Sequence, residues 1–409
     1  MRPTQLALAV RAGWRKLGWR AWALVLAWAV HYLNGVRRVR LHLAKTSKSN
    51  HMRQRMQRIM EQCPSMFKVY WPTWYAYSAM QQILLLGVKE ILAIFQSNVY
   101  TRQIFQLRDS ANIALDWVVP ERELQDGPVC ILLHGAIQDS RSSTMKDLAS
   151  ELAQRGLLAV VMNRRGYGDL EMDASTARVT LFGFDEDLDE VMLEVGKRAP
   201  GRPVAIVGFS CGSGQAGRYA AHRQHLSAWQ DRGVSKTLPR LLCVVGYDAG
   251  YDVLHAVHKV PWPYCWALDF AFRYQYVIRH RSTWAQKSPS SAEVVKVALD
   301  PTQSFAKVYR NVTKLSGFGC STAWLENQQP QLNNIEVPCL LINSRDDPIC
   351  VWQNVEDHKP LIQENPNLAL AELRRGSHGC KFGFWGFSSM GRDMIGEFIL
   401  SSWSELKNT

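Results

Sequence analysis

The first sixty residues contain no Asp or Glu, although 13 of the 48 Lys and Arg residues of the chain lie there. The formal net charge of +12 is therefore a property of the N-terminal segment, and the other positions are close to charge balance. Trp and aliphatic residues separate the basic ones, and this mixture suits a lipid surface better than a nucleic acid. We expect a membrane contact through the N-terminus and no nucleic-acid partner.

The N-terminal segment also lacks an apolar run of the usual spanning length, which is about 20 residues. Its uncharged stretch from Ala21 to Val36 has 16 residues and lies between Arg20 and Arg37. Three interpretations stay open: a short signal anchor, an interfacial helix, and an Arg-rich targeting segment that is later removed. Of these we expect retained membrane association, with an organelle-targeted protein as the alternative.

The two following apolar stretches have different patterns. Between Asn50 and Cys63, apolar side chains recur at helical spacing beside three arginines, which predicts either a lipid-bound helix or a helix packed on the main domain. In the run from Ile83 to Phe95, Lys89 and Glu90 interrupt the apolar sequence and argue against a second span. We therefore predict a basic, helical, membrane-associated region over residues 1–100 and the main domain over 101–409.

The number of cysteines, nine, is odd, and no two of them have C-x-x-C spacing. Cys130, Cys243 and Cys339 lie inside apolar, strand-like runs. This pattern excludes a disulfide framework and indicates reduced core thiols in a domain that faces the cytosol. The sequence also lacks repeats and low-complexity segments, and its 47% apolar content suffices for one large core.

The chain is organised around the stretch from Val204 to Gly217, VAIVGFSCGSGQAG. Its apolar start predicts a buried strand, and its small residues after Ser210 begin a helical pattern. A strand, a G-x-S-x-G turn and a helix form a nucleophile elbow, in which the serine hydroxyl projects above the sheet near the positive end of the helix. Gly208 and Gly212 allow the strand and the helix to approach closely.

Alternation of strands and helices predicts the fold. Buried strands are expected at 129–133, 157–162, 204–207, 241–245, 339–343 and 368–373, with helices at 146–155, 185–195 and 390–406 between or after them. Such alternation predicts an α/β fold with a doubly wound, mostly parallel sheet. The alternation fails over about 248–334, where Trp, Tyr and Phe are frequent, and we predict a helical cap there.

A serine nucleophile needs a base, and the base needs an orienting acid. His378 follows the last predicted strand in a glycine-rich loop, Arg374-Arg375-Gly376-Ser377-His378-Gly379. The acid is expected after the strand that ends near Ile342, where Asp346 and Asp347 are neighbours. We choose Asp347 because it directly precedes Pro348, and we assign Asp346 to local hydrogen bonding. Ser210, Asp347 and His378 are thus the predicted catalytic residues.

The oxyanion of a tetrahedral intermediate needs two backbone N–H donors. Cys211, as the residue after the nucleophile, supplies one of them. The second is expected from the loop after His134-Gly135, with Ala136 or Ile137 as donor.

With these motifs, the chain resembles the α/β-hydrolase superfamily, and within it the branch of YheT-type esterases and embryogenesis-associated hydrolases. The resemblance covers roughly residues 63–409. It rests on Leu115-Asp116-Trp117, Leu132-Leu133-His134-Gly135, Asn163-x-Arg165-Gly166, Gly208-Phe209-Ser210, Gly317-Phe318-Gly319, Asn343-x-x-Asp346-Asp347-Pro348 and His378-Gly379. It implies hydrolysis of lipid-like acyl esters without a metal or other cofactor, and often an N-terminal membrane anchor. Cys211 departs from this pattern, because such relatives usually carry an apolar residue there.

Three functions therefore compete. The first is a carboxylic-ester hydrolase acting on medium or long acyl chains of phospholipids or glycerolipids, because an aromatic cap suits an apolar acyl channel. The second is an acyltransferase in which an alcohol replaces water, since the same three residues serve both reactions. The third is a catalytically silent scaffold, which the complete set of Ser210, Asp347 and His378 argues against. The sequence does not define an oligomeric state.

Overall fold

The computed structural model describes residues 18–45, 50–179, 181–222, 238–252, 259–318 and 320–408. Trp14 and the basic residues Arg11, Arg15 and Lys16 lie outside the described residues, and so does Gly319.

The core of the fold is a mixed sheet of nine strands in the order β2-β11-β10-β9-β8-β6-β7-β5-β4. The six strands from β11 to β7 are parallel, and β2, β5 and β4 are antiparallel to their neighbours. In chain order these strands are β2 (Arg40–Leu43), β4 (Thr101–Gln106), β5 (Asn112–Val118), β6 (Val129–Leu133), β7 (Leu158–Asn163), β8 (Val204–Phe209), β9 (Leu241–Tyr247), β10 (Cys339–Ser344) and β11 (Leu368–Leu373). Two short strands, β1 (Arg37–Arg38) and β3 (Val69–Tyr70), pair separately.

Helices cover both faces of this sheet, which confirms the predicted α/β fold. Each parallel strand is buried along its whole length, and this burial explains the uninterrupted apolar runs in the sequence. One face packs on α5 (Asp185–Arg198), α6 (Cys211–His222) and α12 (Trp352–Glu364). The other face packs on α2 (Asn50–Glu61), α4 (Ser143–Gln154) and α13 (Met390–Lys407).

The region between β9 and β10 is helical, as predicted for the cap. It contains α7 (Tyr264–Phe272), which continues as a π-helical segment (Arg273–Ile278), then α8 (Arg281–Lys287), α9 (Pro289–Leu299), α10 (Phe305–Thr313) and α11 (Ser321–Asn327). Buried aromatic side chains give it a small core of its own, which includes Phe272, Tyr276, Trp284 and Trp324. These rings pack the cap, while others described below face its cavity or its surface.

The N-terminal region differs from the predicted division at residue 100. Helices α1 (Trp19–Gly35) and α3 (Ala79–Ile94) lie in it, as the sequence suggested. However, β2 pairs with β11 at the edge of the main sheet, and Met56, Ile59 and Met60 of α2 are buried in the core. Part of residues 40–70 therefore belongs to the main domain, because its apolar side chains cover the sheet. No helix within the described residues combines the length and the apolarity needed to cross a membrane.

The packing of α2 can be tested by substitution. Because Ile59 is fully buried against the sheet and α13, Ile59→Ala should lower the free energy of unfolding by about 2–4 kcal/mol. Gln54→Ala is the matched control, since Gln54 is exposed on the same helix, and it should change stability by no more than about 0.5 kcal/mol. Denaturant unfolding measures both; equal, small effects would mean that α2 does not pack on the core.

Candidate active site

Ser210 lies at a strained turn between β8 and α6. Its backbone φ is 50°, a left-handed conformation that is unusual for a residue other than glycine. The turn is held by two backbone hydrogen bonds, from the Ser210 N–H to the Tyr247 carbonyl at 2.8 Å and from the Ser213 N–H to the Ser210 carbonyl at 2.9 Å. This geometry is that of a nucleophile elbow.

The two glycines of the G-x-S-x-G turn are required by close backbone approach. A Cβ atom on Gly208 would lie 2.2 Å from the Gly212 carbonyl oxygen, and one on Gly212 would lie 2.2 Å from the Leu133 carbonyl oxygen. No side chain fits at either position without moving the backbone. The turn therefore brings the end of β6 and the start of α6 together directly beneath Ser210.

Asp347 and His378 form a hydrogen-bonded pair at the ends of β10 and β11. The Nδ1 atom of His378 donates to Oδ2 of Asp347 at 2.8 Å. The other carboxylate oxygen accepts from the N–H groups of Ile349 at 2.8 Å and Cys350 at 2.9 Å. These contacts fix the tautomer of His378, leaving Nε2 free of a proton and able to accept one.

Electrostatics favour an ionised carboxylate beside this imidazole. Burial alone would raise the pKa of Asp347, but the charge and hydrogen bond of His378 bring it below its ordinary value of 3.8. Burial alone would lower the pKa of His378, but Asp347 raises it above the ordinary 6.5. The pair is therefore suited to receive a proton on the histidine while the carboxylate stays charged.

Asp346 has a different environment, although it is the neighbour of Asp347. Its Oδ1 atom accepts a hydrogen bond from the Ser377 N–H at 2.9 Å, so it supports the loop that carries His378. Burial raises its pKa from 3.8 to about 6. The structure thus directs only one of the two neighbouring acids to His378, and it is the one chosen from the sequence.

A buried ion pair beneath the same loop was not found by sequence reasoning. Asp248, directly after β9, pairs with Lys381, and both side chains are fully buried. Asp248 also accepts a hydrogen bond from the Gly379 N–H at 2.6 Å. The pair therefore ties the loop of His378 to the sheet. The position of Asp248 at the end of a parallel strand was a usable indication of such a role.

The candidate oxyanion donors lie around Ser210 as the sequence suggested. Ala136 and Ile137 line the same cavity as Ser210 and Cys211. The Cys211 thiol contacts the Ser210 hydroxyl and the Ala136 N–H, and burial raises its pKa, so it remains a neutral thiol. Any oxyanion would have to share this narrow space with the sulfur atom.

Ser210 and His378 open into one cavity of about 1030 Å³. Within the described residues no hydrogen bond joins their side chains, a spacing often seen in ligand-free active sites. Most of the cavity wall is apolar, and α3 and the cap contribute a large part of it. The wall includes Ile83, Leu86 and Ile94, then Tyr264, Ala267, Leu268, Ala271 and Phe272, then Phe305, Tyr309 and Ile349.

One group in the described chain has donor atoms close enough to hold a metal ion. The ligand atoms of Asp347, Cys350 and His378 lie within 4.8 Å of one another. However, Asp347 and His378 already use their facing atoms in the hydrogen bond between them, and burial raises the pKa of the Cys350 thiol. The arrangement fits an acid–base pair beside a neutral thiol better than it fits a metal site.

Comparison with known proteins finds a matching family model and several relatives. Residues 126–232 match the family model described as serine aminopeptidase, S33. Human protein ABHD15 is 25% identical over 300 residues, which cover 71% of this chain and 60% of that protein. Human phospholipase ABHD3 is 23% identical over 82% of this chain and 80% of its own length. Monoacylglycerol lipase ABHD2 of Danio rerio is 21% identical over 78% of this chain and 76% of its own length.

The different environments of the two neighbouring acids predict losses of very different size on substitution. Asp347→Asn should reduce kcat about 10⁴-fold through loss of the correct histidine tautomer. Asp346→Asn keeps an acceptor for the Ser377 N–H and should reduce kcat less than about tenfold. Ester turnover by purified variants measures both, and a larger loss from Asp346→Asn would reverse the assignment.

The same pair sets the expected pH dependence. His378 can accept a proton only when its imidazole is neutral. We therefore expect kcat/KM to rise with pH through the pKa of His378, which lies above 6.5, and then to reach a plateau. In Asp347→Asn the residual activity should rise at lower pH, because the carboxylate that raises the histidine pKa is gone.

Proposed function

We propose that the chain is an α/β-hydrolase and that it hydrolyses carboxylic esters of lipids through Ser210, His378 and Asp347. One observation carries the proposal: Ser210 and His378 share a large cavity whose wall is mostly apolar. The volume is at the upper end of the range for small-molecule sites, about 300–1,000 Å³, and suits an acyl chain.

In the proposed reaction His378 accepts the proton of the Ser210 hydroxyl as its oxygen attacks the ester carbonyl carbon. Asp347 stabilises the resulting imidazolium, to which it is already hydrogen bonded. The N–H groups of Cys211 and of Ala136 or Ile137 bind the oxyanion. The alcohol leaves with the proton from His378, and water then releases the fatty acid from Ser210 by the reverse sequence of proton transfers.

The names of the relatives support a lipid substrate. ABHD3 is described as a phospholipase and ABHD2 as a monoacylglycerol lipase. The apolar wall from α3 and the cap gives the same indication on independent physical grounds, since it desolvates an alkyl chain. Phospholipids and glycerolipids are therefore the proposed substrate class.

We further propose that the N-terminal region keeps the enzyme at a membrane. Several large apolar side chains of α1, including Trp19, Leu24 and Leu26, are exposed. Basic residues lie at both ends of this helix, Arg20 in its first turn and Arg37 and Arg38 just after its last residue. Exposed apolar residues between basic ones suit the surface of an anionic bilayer.

A series of p-nitrophenyl esters tests the substrate proposal. Each methylene that enters the cavity can contribute about 0.8 kcal/mol, so kcat/KM should rise with acyl length, by up to about fourfold per methylene, and then fall. Ala267 lines the cavity, and Ala267→Phe should move the optimum to shorter chains. A steady preference for acetate would exclude a lipid acyl channel.

Ser210→Ala is the catalytic control for this series. It should abolish labelling by a fluorophosphonate and lower kcat on the order of 10⁶-fold. Retained labelling would mean that another residue is the nucleophile. Product analysis in the presence of an added alcohol separates hydrolysis from acyl transfer.

A further inference from the structure

Helix α7 has two apolar faces, one toward the cavity and one toward solvent. Trp262, Trp266, Phe270 and Tyr274 recur every fourth residue from just before α7 into the π-helical segment, and between 62% and 81% of each is exposed. The Trp266 and Phe270 rings stack with centroids 6.0 Å apart, and the Phe270 and Tyr274 rings stack at 6.2 Å. A packed row of exposed aromatic rings is unusual on a soluble surface.

Helix α3 has the same arrangement. Ile83, Leu86 and Gly87 line the cavity, while Leu84, Val88, Ile91 and Leu92 are exposed. We call these four residues, together with Trp262, Trp266 and Phe270, the rim face.

The two charged residues of α3 do not reach the rim face. Lys89 pairs with Asp147 at 3.7 Å and lies over the Phe382 ring. Glu90 is turned inward and accepts hydrogen bonds from the N–H and hydroxyl of Ser143. On α7 the single charged side chain, Asp269, is paired with Arg273 at 2.8 Å. The rim face therefore presents apolar surface without an unpaired charge.

We propose that the rim face docks on an anionic phospholipid bilayer, which supplies substrate to the cavity between α3 and α7. The inference rests on the proposed lipid esterase function. A tightly bound protein would cover the two helices that enclose the cavity, whereas a bilayer covers them and also contains the acyl chains. Aromatic side chains are suited to the interface between lipid headgroups and acyl chains.

The surrounding charges complement such a bilayer. In the segment between α1 and α3, Trp74 packs against Trp28 of α1, and the Tyr75 hydroxyl donates to the Trp385 carbonyl at 3.2 Å. Helix α1 is followed by Arg37, Arg38 and Arg40, and residues 1–60 contain 13 basic and no acidic residues. Anionic lipid attracts this segment and holds the adjoining apolar surface against the bilayer.

Flotation of the full-length protein with vesicles of phosphatidylcholine and phosphatidylserine tests the proposal. The double variant Trp266→Ser/Phe270→Ser should bind these vesicles at least about tenfold less, since two large side chains lose apolar burial. Its turnover of a soluble p-nitrophenyl ester should stay within about twofold of wild type, because neither side chain lines the cavity. Val119→Ser is the matched control, an exposed apolar residue at the opposite edge of the sheet, where β5 ends.

Flotation needs no turnover, so its result is separate from that of the esterase proposal, which the wild-type ester assay decides. Unchanged flotation of the double variant would overturn the docking proposal. A second result would also overturn it: the wild type is a dimer in size-exclusion chromatography, the double variant is a monomer, and flotation is unchanged. The rim face would then be an interface between two copies.

A second inference comes from Arg164, a buried cation behind the oxyanion loop. The side chain is 2% exposed, and its Nε and Nη1 atoms have no hydrogen-bond partner. No salt bridge to Arg164 exists in the part of the chain that the structure describes. Its Nη2 atom donates to the Gly135 carbonyl oxygen at 2.5 Å. A buried charge without a carboxylate destabilises a fold, so a functional role can account for its presence.

The contacts of Arg164 indicate that role. The Gly135 carbonyl and the Ala136 N–H belong to the same peptide group. The backbone N–H of Arg164 faces Nε2 of His134 at 3.2 Å, and Nδ1 of His134 lies 2.8 Å from the Gly135 carbonyl and 2.9 Å from Nη2 of Arg164. Donation from the Arg164 guanidinium to the Gly135 carbonyl polarises this peptide and makes its N–H a stronger donor. The next peptide is held in the same way, since the Tyr167 hydroxyl donates to the Ala136 carbonyl.

We infer that Arg164 is a positioning residue that orients and polarises the Ala136 N–H toward the oxyanion. The inference rests on the proposed function. Replacing the charge by a side chain of similar shape should therefore weaken transition-state binding and leave substrate binding unchanged.

Arg164→Met should lower kcat roughly 10- to 100-fold with KM unchanged, while the thermal midpoint stays at or above that of wild type. Arg164→Lys keeps the charge and should recover part of kcat. A role in folding alone would lower stability and activity together, and that result, like an unchanged kcat, would overturn the inference. If the wild type turned over no ester, the proposed function itself would have failed.

Discussion

The left-handed backbone of Ser210 is the constraint on which the site depends. The turn exists because Gly208, Gly212 and the Leu133 carbonyl pack with no room for a Cβ atom, at the point where β6 and β8 are neighbours. Parallel strands are needed for this, since they end together at one edge of the sheet. The same edge then places Asp248, Asp347 and the loop of His378 near the serine. A strained turn of this kind persists only where the surrounding structure is well packed, and here both adjoining strands are fully buried.

The central fold and the positions of the three predicted catalytic residues could be read from the sequence because they depend on local patterns. Uninterrupted apolar runs are typical of strands buried on both faces, and β11 was predicted to the residue. The two glycines around His378 also predicted a sharp bend. In the structure Gly376 and Gly379 have φ values of 138° and 72°, which confirms it. The choice of Asp347 over Asp346 rested on one proline, and only the three-dimensional contacts separate the environments of these two acids.

What the sequence did not reveal depends on contacts between distant segments. Strand β2 is short and basic, and nothing local shows that it pairs with β11, more than three hundred residues later. The Asp248–Lys381 pair is similar, because each residue alone is typical of a surface loop. The aromatic residues of the cap were predicted to form a channel, and the structure divides them: Tyr264 and Phe305 face the cavity, and Trp284 is in the core. Trp262 and Trp266 face outward. The side of its helix on which each ring lies decides this division, and the amino-acid composition of an irregular region does not reveal that side.

The pairing of β2 with β11 has a consequence for the stability of the chain in solution. β11 would otherwise be the last strand of the sheet, long, apolar and with one row of unpaired N–H and C=O groups. β2 covers this row over four residues, and its Arg40 and His42 side chains lie on one face of the sheet, where both contact Glu372 of β11. Charged residues on a short outer strand prevent one sheet from extending into another. A variant that begins at residue 44 lacks β2 and would lose this protection. Removing the basic N-terminus to gain solubility would therefore expose a strand edge that promotes self-association.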